Sequence, residues 1–382
     1  MKQLLQEFRH NPLLWLLVFV PVVLATQKLK PEAHTMLFVL SVLAIVPLAA
    51  LLSHATESVA AKTGDAVGGL LNATLGNLTE LVIALTALRA GQYTLVKASI
   101  AGAIVTNSLF MLGASFFLGG LKYHLQEYNR VSARMQAGLL FLATVALLVP
   151  SVISKVDAAA AATIIGKLSV GLAVLLLVAY ALGMLFSLKT HRELFASVES
   201  GEASEAPWPI GLALATLAGV TVLIALVSEV FVESVQKAAE TFGMTAAFVG
   251  FIVVALVGAA AEMASAFSGA RKNRLDLSVG ISLGSASQIA LFVAPMLVIL
   301  SYVIGPAPMN LQFWPGAVVM MLIAAMTASL MTNGGHSAWF VGVLLLSVYL
   351  IFAMTLYLMP PRLQGEGSLE KQLNTVLAAN IP

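Results

Sequence analysis

Slid along itself by 182 residues, the sequence meets its own pattern. GNLTELVIALTALRAG, from Gly76 to Gly91, falls on GAAAEMASAFSGARKN, from Gly258 to Asn273. Without a gap, Gly68 pairs with Gly250, Glu80 with Glu262, Arg89 with Arg271 and Gly102 with Gly284. The register runs on to Leu109–Phe110 and Leu291–Phe292, and upstream, with a few residues inserted, ESV at Glu57 meets ESV at Glu233. Alanine on alanine means little in such a composition. Paired glutamates, arginines and glycines define a repeat.

What repeats is a membrane segment. The chain is 59% hydrophobic and 10% charged, where a soluble domain carries about 25% charged residues. So much apolar surface calls for lipid as solvent. A span needs about 20 mostly apolar residues, and eleven such segments fit: 12–26, 35–52, 66–89, 94–119, 135–154, 161–188, 208–236, 245–269, 276–304, 312–332 and 337–359. Backbone polar groups in lipid must be satisfied within each segment, so these are helices. The expected fold class is an all-α polytopic membrane protein. Each copy of the repeat holds five spans. An odd number sends the second copy into the membrane from the opposite side, giving an inverted-topology repeat, the plan of secondary transporters.

The chain then divides into an extra N-terminal helix (1–34), a first five-helix repeat (35–188), an acidic linker (189–207), a second repeat (208–359) and a C-terminal tail (360–382). Because a second apolar segment follows almost at once, the first reads as an uncleaved span rather than a removed signal peptide. Lys and Arg counts slightly favour a cytoplasmic N-terminus, with LKYHLQEYNRVSAR, KTHRE and ARKNR on the same side, and KLK, Arg89, Lys97 and Lys155 on the other. The linker is then cytoplasmic. No cysteine is present, which removes disulfides, thiolate metal sites and cysteine nucleophiles. No basic cluster suggests nucleic acid as a partner, and no phosphate loop or hydrolase elbow suggests an enzyme.

Glu80 and Glu262 carry the chemistry. A charged side chain at bilayer depth costs ~2.5–3.5 kcal/mol by insertion scales. Two of them at equivalent positions would meet near the midplane, where two carboxylates cannot both be ionised cheaply. A divalent cation between them compensates both charges, and so do protons. One site that holds either a cation or protons is a physical basis for exchange. Asn77, Thr79, Thr106, Asn107 and Ser108 supply further oxygens in the first repeat, and Ser282, Ser285, Ser287 and Gln288 in the second. An oxygen-only set suits a hard cation such as calcium, which takes 6–8 oxygens in flexible geometry. The absence of thiols, and of His on either segment, argues against zinc or copper.

SHATESVAAKTGDAVGGLLNATLGNLTELVIALTAL, SEVFVESVQKAAETFGMTAAFVGFIVVALVGAAAE and GISLGSASQIALFVAP resemble the two signature regions of the cation/proton exchangers of the calcium/cation antiporter superfamily. The likeness runs from about Leu40 to Tyr357. It implies a calcium/proton antiporter of eleven spans, one extra helix and two inverted five-helix halves, with calcium as transported substrate and no cofactor. Glu80 and Glu262 match the family's cation and proton site. Asn77 and Gln288 match positions lining it, and Asn107, Thr106 and Ser285 complete the candidate set. Glu57 and Glu233 match acids near the cavity mouth, candidate proton relays or gates. The linker acids Glu199, Glu202 and Glu205 resemble a segment thought to bind regulatory calcium. The expected setting is a bacterial inner membrane, with the lipid bilayer as partner and homo-oligomerisation left open.

One departure stands out. The family's second motif usually reads GNAAEH, whereas this chain has GAAAEM. Ala259 and Met263 stand in for Asn and His, so the site loses an amide oxygen and a titratable ring. If that Asn is a missing ligand, Ala259→Asn is expected to tighten calcium binding. Sodium-coupled exchange stays an alternative, as do a cation channel and, more remotely, an intramembrane enzyme built on the two carboxylates.

Overall fold

The computed structural model describes residues 12–63, 65–153, 161–194 and 208–359. The linker acids Glu199, Glu202 and Glu205 lie outside the described residues, as does the tail from 360 on.

After a short turn of 3-10 helix, Pro12–Val18, come α1 (Phe19–Leu29), α2 (His34–Lys62), α3 (Asp65–Leu75) and α4 (Leu78–Arg89). Then α5 (Tyr93–Val105) runs through a wide π-helical turn, Thr106–Met111, into α6 (Leu112–Tyr123). Next are α7 (Arg130–Ile153) and α8 (Ala161–Leu185). The second half follows the same order: α9 (Ile210–Thr241), α10 (Ala246–Gly258), α11 (Ala260–Arg271) and α12 (Leu275–Gln288). A π-helical turn, Ile289–Val293, leads into α13 (Ala294–Ile304), followed by α14 (Pro315–Thr332) and α15 (Trp339–Leu358).

The 182-residue register reappears in the element boundaries. α4 maps onto α11 end to end, α5 and α12 start in register, and so do α6 and α13. Both π turns end in register, at Met111 and Val293. Among the described residues, eight helices are long and apolar enough to cross a membrane, and the pair α10–α11, bent by 59°, makes nine. The expected eleven is reached only by adding the apolar helix Leu13–Leu29 and the pair α3–α4, which is the repeat partner of α10–α11. Large apolar residues such as Val222, Leu182 and Leu350 stay exposed, as lipid-facing residues do.

Each broken pair kinks rather than unwinds. Asn77, at φ −98° and ψ 27°, and Ala259, at φ −80° and ψ 6°, occupy the bridge region between helix and strand. The kink gives α4 and α11 free N-termini inside the protein, with Glu80 and Glu262 in their first turns. Unpaired N–H groups there favour negative charge.

One expected boundary is corrected. The span read as 312–332 begins at Pro315, and residues 305–314 form an extended strap. Met309, Leu311 and Phe313 point into the core. Their backbone N–H groups donate to the hydroxyls of Ser301 on α13, Ser169 on α8 and Ser151 on α7. Between them Asn310 and Gln312 accept from the part-buried Lys97 ammonium at 2.6 and 2.8 Å. Pro315 at the helix start ends the strap, since a proline is suited to the first turn. The repeat partner of this strap is the shorter loop after α6. There Gln126–Glu127 pairs antiparallel with His336–Ser337.

Candidate functional site

α4 and α11 bring Glu80 and Glu262 together inside the protein, close enough to interact electrostatically. Glu80 packs on Gly258, the last residue of α10. A Cβ added there would lie 3.1 Å from Glu80 Cγ and 3.4 Å from Oε1, so a side chain at 258 would crowd the carboxylate.

A web of amides and one hydroxyl joins the two halves beside the pair. Asn77 Nδ2 donates to Gln288 Oε1 at 2.6 Å. Ser285 Oγ donates to Asn77 Oδ1 at 2.7 Å and accepts from Asn107 Nδ2 at 2.8 Å. Ser285 also stands beside the Glu262 carboxylate. Among the buried oxygens with no donor are Glu80 Oε1, Glu262 Oε2 and Asn107 Oδ1, with Gln136 Oε1 on the cavity wall. Buried acceptors are normally paired, because stripping water from them without replacement is costly. Oxygens held in this way can accept a cation or a proton.

Other candidates fall differently. Thr106 is fully buried, but its hydroxyl donates to Tyr349 at 3.3 Å, outside the web. Ser108, Ser282 and Ser287 donate to backbone carbonyls of their own helices. Thr79 is buried. Ala259 and Met263, at the departed positions, form an apolar cluster with Met111 and Ala266. Among the described residues, no three His, Cys, Asp or Glu side chains gather as a metal cluster. The site is two carboxylates with neutral oxygens.

The surroundings of the pair are unequal. A cavity of about 850 Å³ reaches Glu262, Ser285 and Gln288 from the side bearing the loops after α6 and α11. Glu57 stands on its wall and accepts from Ser53 Oγ at 3.3 Å. One turn earlier, His54 packs on Trp208, at the start of the second half, with ring centres 4.4 Å apart. Glu233 is on no wall of this cavity. It is exposed and accepts from Gln27 Nε2 at 3.2 Å. Sequence reasoning missed Gln136, which lines the cavity, and Tyr349. Neither lies in a repeated motif, so no signal marked them.

On the opposite side the halves are shut. A Cβ at Gly102 would lie 2.1 Å from the Phe251 carbonyl oxygen, and one at Gly250 would lie 2.6 Å from Ala98 Cβ. α5 and α10 are in close contact there, and the 305–314 strap packs beside them. A narrow void of about 20 Å³ remains, bordered by Glu80, Ser99, Ala103 and Ile289. The repeat partners of this closure are apart. A Cβ at Gly284 would meet nothing closer than 3.5 Å, and Gly68 packs on α2 at Ala60 instead of on α12. The pseudo-symmetric halves thus hold two different arrangements, one open and one closed.

The sequence matches the sodium/calcium exchanger protein family over residues 33–189 and 212–358. A Ca2+/H+ antiporter of Synechocystis sp. is 40% identical over 361 residues, covering 90% of this chain and 96% of that protein. The Ca2+/H+ antiporter ChaA of Bacillus subtilis is 40% identical over 327 residues, covering 85% and 92%. Vacuolar cation/proton exchanger 2 of Oryza sativa is 35% identical over 355 residues, covering 90% and 80%. Among solved structures, native YfkE superposes with a TM-score of 0.79 at 36% identity, covering 91% of this chain and all of that one. A selenium-substituted form, described as a Ca2+/H+ antiporter protein, gives 0.78 at 34% identity over 91% and 100%. The H+/Ca2+ exchanger CAX, at 18% identity and a TM-score of 0.70 over 92% of this chain and 88% of that one, shares the fold.

Proposed function

This chain belongs to the sodium/calcium exchanger protein family, and we propose that it is a secondary active antiporter that exports calcium in exchange for protons by alternating access. The observation that carries this reading is the set of three donorless buried oxygens, two from the repeat-related glutamates and one from Asn107. Its relatives named as Ca2+/H+ antiporters support the choice of ions. The expected setting is a bacterial inner membrane with the N-terminus in the cytoplasm.

Calcium is substrate here, not a resident cofactor. It enters through the open cavity, past Glu57, and is taken up between Glu80 and Glu262, with Asn77, Asn107, Ser285 and Gln288 replacing water oxygens. Protons and the cation compensate the same two carboxylates, so each displaces the other. The five-helix halves then exchange arrangements. α5 parts from α10, α3 closes on α12, and the site opens to the opposite side. A proton gradient directed inward protonates the pair there and releases the cation. As the repeat counterpart of Glu57, Glu233 is the candidate relay or gate for that second mouth.

The test is transport in proteoliposomes carrying an internal pH indicator. With sodium absent, calcium added on one side is expected to move protons the opposite way. A requirement for sodium would sink the proton coupling. A linear, uncoupled conductance would mean a channel.

A further inference from the structure

The repeat makes the two glutamates equivalent but leaves their neighbours unequal. In the 182-residue register Asn77 maps onto Ala259 and Asn107 onto Ile289, while Ser285 maps back onto Ala103 and Gln288 onto Thr106. The web of Asn77, Gln288, Ser285 and Asn107 therefore has no mirror image. Of the four mirror positions only Thr106 carries a side-chain oxygen, and its proton goes to Tyr349. Ala259 is enclosed by Met111, Met263 and Ala266. The same contrast marks the two spaces beside the pair. Glu262 meets the open cavity together with Ser285 and Gln288. Glu80 borders the narrow void on the closed side with Ala103, Val254, Ala255 and Ile289.

We propose that the cation site is one-sided, tight when open towards the loops after α6 and α11 and loose when open to the opposite face, so that Ala103, Ala259 and Ile289 set the direction of release. This inference rests on reading the glutamate pair as the exchanger's cation site. A hard cation gives up hydration water only where another oxygen takes its place. On the cavity side, the Gln288 amide and the Ser285 hydroxyl stand beside Glu262. When the halves exchange arrangements, the newly opened wall is the one that now borders the void, and it offers methyl groups and Ser99. The thioethers of Met111 and Met263 are soft ligands and do not substitute for oxygen around calcium. The ion must then keep more of its water, or leave. An exporter needs weak binding on its release side, and here the apolar wall supplies that weakness in addition to protonation.

The experiment measures calcium-dependent proton movement in everted and right-side-out membrane vesicles from cells producing the full chain. The half-saturating calcium concentration is read on each face. On the face of the open cavity it is expected to be at least about tenfold lower than on the other. Ala103→Ser puts an oxygen back on that wall, and Ala259→Asn, separately, restores an amide at the mirror position of Asn77. Each is expected to lower the half-saturating concentration about three- to tenfold on the opposite face and to leave the cavity face unchanged. Ala259→Asn sets an amide among methionines, so Ala103→Ser, which adds one atom, guards against misfolding. Equal values on both faces of the unaltered protein overturn the proposal. So does an unchanged opposite-face value in Ala103→Ser protein that still transports. If calcium moves no protons on either face, the exchanger reading itself fails, a separate result from equal values on two active faces.

Discussion

Gly102 and Gly284 are equivalent by sequence and opposite by structure, and replacing each with alanine should push the protein in opposite directions. On the closed face, a Cβ at 102 would come within 2.1 Å of the Phe251 carbonyl oxygen and 2.5 Å of its Cα, where ordinary contact begins at 3.4 Å. Both obstacles are backbone, so no rotamer change relieves them, and α5 must part from α10. Overpacking of this kind costs ~1–3 kcal/mol, enough to shift a two-state equilibrium about five- to 150-fold. At Gly284 the nearest atom is Gln136 Oε1 at 3.5 Å. Alanine there costs nothing in the present arrangement. It collides only when α3 closes on α12. Gly102→Ala should therefore favour the arrangement open on the opposite face, and Gly284→Ala should hold the one described here. The chain has no cysteine, so accessibility can be read from single introduced thiols. Ser99→Cys reports the void and Ser265→Cys the cavity. In the Gly102→Ala background, a soluble thiol reagent should label position 99 faster and position 265 more slowly. In Gly284→Ala protein, position 99 should stay protected while transport falls. Unchanged labelling at both positions in folded Gly102→Ala protein would refute the exchange of arrangements between the halves.

Other outcomes follow from the site. Glu80→Gln and Glu262→Gln should each abolish exchange while the protein remains folded and monodisperse; normal transport in either would remove that residue from the mechanism. Ser285→Ala strips Asn77 Oδ1 of its donor and Asn107 Nδ2 of its acceptor. The loss of ~1–3 kcal/mol expected for unpaired buried groups should appear as a five- to 150-fold rise, roughly, in the half-saturating calcium concentration. Lys97→Met removes the ammonium that joins α5 to Asn310 and Gln312 of the strap. It should lower the melting temperature and speed labelling at position 99, and no change in either would mean the strap holds without it.

The repeat was legible because its landmarks are rare residues in a common background. Glu80 and Glu262, or Gly102 and Gly284, stand out among leucines and alanines, and the structure starts and ends α4 and α11 on the same register. The kinks at Asn77 and Ala259 follow glycines that the sequence already showed. What stayed hidden depends on side-chain direction. Ser285 and Ser282 are one turn apart and look alike in sequence, yet Ser285 joins the two halves while Ser282 turns to its own backbone. Thr106 and Asn107 are neighbours, and only Asn107 reaches the web. The strap was hidden for another reason. Met309, Leu311 and Phe313 alternate with polar residues just ahead of a helix, and hydropathy alone merges such a stretch with the span that follows. Lys97 read as a cation at a membrane edge until the strap's Asn310 and Gln312 closed over it. The unequal surroundings of Glu80 and Glu262 required the fold, because a repeat in sequence says nothing about which copy is open.

The central claim is that one pair of carboxylates holds either calcium or protons. Its most direct measurement is the pH of a weakly buffered, sodium-free solution of the purified protein as calcium is added. Calcium entering the site should release protons into solution, in saturable amounts, and the double variant Glu80→Gln/Glu262→Gln should release none. Calcium that binds with no release of protons, or that binds only when sodium is supplied, would contradict it.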